Sequence, residues 1–114
     1  MTKKKYPSPR LEREVPFLNS LMNAHSHPRL RQQLLQHANK DQINAISEVV
    51  LNTLKSNVPL DPPLMARLRR YKDPLRQVGR PRTSVARRRN VLLQQKGKGF
   101  WIGLKEVCRC TLPP

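Results

Sequence analysis

Acidic residues are scarce in this chain. Seven Asp and Glu stand against 23 Lys and Arg, for a formal charge of +16. The seven acids are scattered, so no paired-carboxylate site is available for acid/base work. Asp41 and Glu48 share one predicted helix, but Asp41 is better explained as its cap. Glycine is also rare, with four residues, and no Gly-rich phosphate loop precedes a Lys-Ser/Thr pair. No Ser or Cys sits in a recognisable nucleophile motif, and a non-catalytic protein without cofactor is expected. The two cysteines, Cys108 and Cys110, are one residue apart, too close for a relaxed intramolecular disulfide, so a disulfide framework is excluded. No apolar run approaches the roughly 18 residues of a membrane-spanning helix, and none follows Lys3-Lys4-Lys5 as a leader would. The expectation is a reduced, soluble, intracellular chain.

Positive charge is abundant, and unevenly placed. Residues 1–60 carry 9 basic and 4 acidic side chains, net +5, whereas residues 61–114 carry 14 basic and 3 acidic, net +11. A compact state with this charge repels itself unless a polyanion absorbs the field, so the expected partner is anionic. The second half is rich in Arg, whose planar fork matches phosphate oxygens.

Eleven prolines punctuate the chain. Residues 1–15, charged and holding Pro7 and Pro9, read as a flexible basic tail. Pro16 opens a short helix through Met22, and Pro28 opens a second with Leu30, Leu34, Leu35 and Ala38 at helical spacing. The third helix, 41–56, is capped by Asp41 and carries Ile43, Ile46, Val50 and Leu54 on one face, widened by Ala45 and Val49. Asp61 followed by Pro62-Pro63 starts a fourth, with Leu64, Leu68, Tyr71 and Leu75 inward, and Pro74 kinks or restarts it. Thr83 or Ser84 caps a last helix, 85–96, ended by Gly97-Lys98-Gly99. Strand alternation is absent. The predicted fold is all-α, a small bundle of four to five short helices over 16–96, followed by a Gly-punctuated apolar and basic tail, 97–114. Within that tail, Phe100 to Leu104 is expected to dock back on the helices.

Arg80, Arg82, Arg87, Arg88 and Arg89 fall within ten residues, and Arg67, Arg69 and Arg70 lie on the solvent-facing positions of the fourth helix. These eight are the candidate phosphate contacts. Arg87, Arg88 and Arg89 read as a charged belt. The bland alternative is a solvated basic face. Gly79-Arg80-Pro81-Arg82 resembles the core of an AT-hook, which lays arginines along the minor groove, although Val78 stands where that motif has Arg. Lys3-Lys4-Lys5 is either an electrostatic arm or a nuclear-entry signal. His25, His27, Cys108 and Cys110 suffice in number for a zinc site, but their one-residue gaps do not match the usual ligand spacing, so no metal is assigned. Five aromatic residues, Tyr6, Phe17, Tyr71, Phe100 and Trp101, are too few and scattered for a base-stacking platform, which favours duplex over single-stranded partners.

The segments Leu34-Leu35, Ala38-Asn39-Lys40-Asp41-Gln42-Ile43-Asn44-Ala45-Ile46-Ser47-Glu48, Leu68-Arg69-Arg70-Tyr71-Lys72 and Asn90-Val91-Leu92-Leu93-Gln94-Gln95-Lys96-Gly97 together resemble small basic proteins encoded by Maverick (Polinton)-type and adintovirus-like DNA elements of animals. The resemblance spans residues 16–104 and rests on hydrophobic-plus-basic patterning. It implies a virion or core-associated DNA-binding role, similar in kind to small adenoviral core proteins. The chain departs from that pattern in Lys98, in Cys108-Arg109-Cys110 and in its two final prolines, so a membrane-active or processed tail is not carried over.

The expected function is therefore packaging or core-associated binding of double-stranded DNA, placed ahead of RNA, in the nucleus or virion. The alternative is an assembly or scaffold subunit of a capsid or ribonucleoprotein, using the apolar face of helix 41–56 and Phe100-Trp101 against protein. A third reading makes Phe100 to Leu104 a wedge at an anionic membrane surface, and it is the weakest of the three.

Overall fold

A computed structural model describes residues 8–55, 60–80 and 82–111, with the backbone alone for Lys98, Cys110 and Thr111. It is all-α. Among the described residues there are eight helices and no strand: α1 (Pro9–Arg13), α2 (Val15–Asn23), α3 (Pro28–Gln36), α4 (Lys40–Leu54), α5 (Pro62–Arg69), α6 (Lys72–Gly79), α7 (Val85–Gln94) and α8 (Lys98–Thr111).

The starts follow from short polar caps and prolines. Ser8 Oγ accepts from Leu11 N and Asp61 Oδ1 from Leu64 N, each followed by proline in the first turn. Ser84 Oγ accepts from Arg87 N. The cap of α4 is Asn39, not Asp41. Its Oδ1 accepts from Gln42 N, and Gln42 Oε1 accepts from Asn39 N, both at 2.8 Å, a reciprocal capping box that leaves Asp41 in the first turn.

Helix α4 is the hub, packed most extensively on α6 and also touching α1, α2, α7 and α8. Ile43, Ala45, Ile46, Val49 and Val50 are buried there, while Leu54, expected on the same stripe, is exposed. Its close fit to α6 uses Gly79, where a Cβ would stand 3.2 Å from Val50 Cγ1 and 3.3 Å from Leu54 Cδ1. The radius of gyration is 13.1 Å, close to the roughly 13 Å expected for this length.

Three expectations change. The first concerns the N-terminal tail, which is folded from Ser8 onward: α1 inserts Leu11, fully buried, into the core. Lys3-Lys4-Lys5, Tyr6 and Pro7 lie outside the described residues. The second concerns the C-terminal segment, which is a 14-residue helix. Phe100, Trp101, Leu104, Val107 and Cys108 recur at helical spacing and are all buried, so the segment does dock back. The third is the helix count. The fourth predicted helix is two, because the chain breaks at Arg70-Tyr71, ahead of Pro74.

Candidate nucleic-acid interface

The eight arginines selected from sequence separate into two groups. Arg67 and Arg69 close α5, Arg70 caps it, Arg80 and Arg82 occupy the connection from α6 to α7, and Arg87 stands in the first turn of α7. All six are exposed. Arg67 and Arg69 lie at the helix end where the macrodipole favours cations. Arg87 Nη2 reaches Gln77 Oε1 at 3.3 Å, which ties the surface of α7 to that of α6. Lys72 and Arg76 on α6 are exposed too, so α6 carries cations at both ends and between them.

Arg88 and Arg89 are not part of a solvated belt. Arg88 is 6 % exposed; its Nε donates to Thr83 O at 2.9 Å and its Nη1 to Ser47 Oγ at 2.6 Å, joining α7 to α4. It lies three residues after Val85 and four before Leu92, on the inward face of α7. Burial, and then the nearby charge of Arg10, lower its pKa from the ordinary arginine value. Arg89 is half-buried, its Nη2 donating to Ala38 O at 2.7 Å, with Nε sealed from solvent and without a partner among the described residues. Arg31 is a further buried arginine that the sequence reading passed over. It sits four residues before the buried Leu35, in the place expected for Leu30, which is exposed.

The exposed cations are almost unpaired. Among the described residues one ion pair is present, Arg109 Nη1 to Glu106 Oε1 at 3.4 Å, on the exposed side of α8. Asp61, which caps α5, and Asp73 on α6 are exposed as well, but among the described residues neither forms an ion pair with the cations of α5–α7.

Among the described residues the aromatics are spent on packing. Phe100 and Trp101 meet edge to face at 5.0 Å between centroids, and Tyr71 meets Phe100 at 5.7 Å. Phe100 and Trp101 are buried, which removes them from the protein-binding and membrane-wedge roles considered above, and the apolar face of α4 is buried with them. No helix is long and apolar enough to cross a membrane among the described residues.

Gly79 ends α6 inside the core, so it belongs to helix packing and not to an extended hook; Arg80 follows in extended backbone, and Pro81 lies outside the described residues. His25 Nδ1 is 2.9 Å from Met22 O, and among the described residues no three His, Cys, Asp or Glu side chains gather as a metal site would require. Cys108 is buried, and that burial pushes its thiol up to about 12.

Comparison with protein families, with curated proteins and with solved structures returns no match.

Proposed function

We propose that the protein binds duplex nucleic acid, DNA ahead of RNA, through arginine contacts to phosphate and with little sequence selectivity. The observation that carries this reading is a strip of exposed cations adjacent in the chain around α6, none in an ion pair among the described residues: Arg69, Arg70 and Lys72 before it or at its start, Arg76 along it, and Arg80, Arg82 and Arg87 after it. Eight residues of helix span about 12 Å, comparable to the rise of three or four phosphates along one strand. Arginine forks on that scale grip a backbone without reading bases. The scarcity of exposed aromatic surface among the described residues speaks against single-strand stacking. Arg67 adds to the strip on α5, while Arg88 and Arg89 tie α7 to Ser47 and Ala38.

A core-associated or virion role, as small basic proteins of Maverick-type elements suggest, belongs to the same proposal, as does a nuclear location. The test is a salt-titrated binding series on duplex DNA, duplex RNA and single strands. Affinity for duplexes should fall steeply with salt and differ little between sequences. Salt-independent affinity for a protein partner, with none for duplexes, would shift the function to an assembly subunit, using exposed apolar side chains such as Leu54 and Met65.

A further inference from the structure

A cleft of about 480 Å³ opens between α1, α4 and α7, lined by Arg10, Arg13, Asn44, Ser47, Glu48 and Arg88 among others. Three arginines face it against one carboxylate, and Glu48 forms an ion pair with none of them. The floor is Arg88. Its Nε and Nη1 are fixed by Thr83 O and Ser47 Oγ, and Ser47 in turn donates to Ile43 O at 3.1 Å, so the hydroxyl proton is already committed and Oγ can only accept. These bonds set the plane of the guanidinium. Its Nη2 hydrogen-bonds no described residue, and the side chain lines the cleft.

No carboxylate among the described residues is bonded to this buried charge; the same is true of Arg31, but there the face of Trp101 covers the guanidinium. A guanidinium removed from water ordinarily faces a carboxylate, because neutral acceptors recover only part of its hydration. Here the acceptors are neutral, and the charge of Arg10, of the same sign, adds to the lowering of the Arg88 pKa after burial itself. An anion between the two would reverse both effects. The fork of an arginine matches phosphate oxygens, and a cleft of this volume holds a phosphate or pyrophosphate with room to spare.

We propose that the cleft is a phosphate-binding site, in which Arg88 presents a fixed donor from the floor and Arg10 and Arg13 close on the anion from α1. Glu48 at the same cleft opposes the anion and limits its affinity. The proposal is independent of the α6 strip, because it concerns a phosphate group whether or not nucleic acid carries it. The group can belong to a small phosphorylated molecule or to a nucleic-acid backbone, and the chemistry of the cleft is the same for both.

Titration calorimetry of the full chain with pyrophosphate, at constant ionic strength in chloride, tests this directly. Saturable binding of one pyrophosphate is expected. Arg10→Gln should weaken it about tenfold, the scale of one charge-assisted hydrogen bond, and Glu48→Gln should tighten it several-fold. Both positions lie at the surface or half-buried, and parent-like melting curves would show that the variants fold. Repeating the titration with saturating duplex DNA separates the sources: lost pyrophosphate heat identifies a backbone phosphate, and unchanged heat a small phosphorylated molecule. Absence of saturable pyrophosphate binding, or equal affinity in all three chains, overturns the site. Pyrophosphate binding without any duplex binding would sink the α6 reading and leave this one standing.

Discussion

The guanidinium of Arg31 lies over the indole of Trp101, 5.1 Å from the ring centroid. The same side chain donates from Nη1 to His25 O at 2.7 Å and from Nη2 to Lys96 O at 3.2 Å. Trp101 Nε1 donates to Gln95 O at 2.5 Å. Two side chains thus bind the turn after α2 and the loop between α7 and α8 into one unit, joining residues far apart in sequence. Burial lowers the pKa of Arg31, but arginine stays charged, so the carbonyls and the ring face must supply what water no longer does.

Arg31→Ala should therefore destabilise the fold by about 3 kcal/mol, since two carbonyls lose their donor and the ring loses its cover. Arg31→Lys should recover less than half, because one ammonium cannot reproduce a fork that reaches two carbonyls and stacks on a ring. Urea denaturation measures both; a loss under about 0.5 kcal/mol for Arg31→Ala, the range of surface changes, would show that the contacts contribute nothing.

Ile46 is 1 % exposed at the centre of α4, whereas Leu54 on the predicted stripe of the same helix is 41 % exposed. Ile46→Ala should cost about 2–4 kcal/mol through lost transfer energy and the cavity left behind. Leu54→Ala should cost under about 1 kcal/mol, since its surface is already largely in water. Equal losses in chemical denaturation would mean that α4 is rotated about its axis.

That contrast also shows what the sequence could and could not reveal. The inward face of α4 was legible because five apolar residues repeat around one side, and the Asp61-Pro62-Pro63 start was legible because cap and proline act locally. The same signal in Ser8-Pro9 was overlooked: α1 has a single apolar anchor, Leu11, inside a charged window, and its order depends on packing against α4. In α8, Gly97 and Gly99 read as breakers, although Phe100, Leu104, Val107 and Cys108 already carried helical spacing. Of the candidate site, the six exposed arginines were foreseen. Arg88 and Arg31 were not recognised as buried because charge was read before position, although each sits on the inward face of its helix beside Leu92 or Leu35. Arg10 and Arg13 could not be foreseen, since only the tertiary fold brings them to Arg88.

Cys108 gives the fold a pH dependence on the alkaline side. Its thiol pKa rises from 9.0 to about 12 because burial disfavours the thiolate. A raised folded-state value means that the protonated thiol's contribution is complete below pH 9 and is lost as pH climbs towards 12. The loss runs at about 1.4 kcal/mol per pH unit in that window. Cys108→Ala lacks the titration, so the stability advantage of the parent over this variant should shrink by about 2 kcal/mol between pH 8 and pH 10.5, measured by urea denaturation. Parallel pH profiles for the two chains would show that the thiol is open to water.

The nucleic-acid reading makes its sharpest claim in the dependence of affinity on salt. If about six phosphates are neutralised by the arginines Arg67, Arg69, Arg70, Arg80, Arg82 and Arg87 within the α6 strip, log K against log salt should fall with a slope of roughly −5, at about 0.9 per contact. Arg80→Gln with Arg82→Gln should flatten that slope by about 2 and weaken all duplexes alike, because both side chains are exposed and neither bonds another described residue. A stronger loss on A·T-rich duplexes would instead mark minor-groove insertion by Arg80 and Arg82. Arg88→Gln should behave differently: it breaks the bonds to Thr83 and Ser47 and so lowers the melting temperature, while the slope changes by no more than about 1, because a side chain 6 % exposed can meet at most the single phosphate that enters its cleft. A parent slope near zero, with tight binding kept in high salt, would remove charge as the basis of recognition. A slope that Arg80 and Arg82 do not change would move the contact surface away from the connection between α6 and α7.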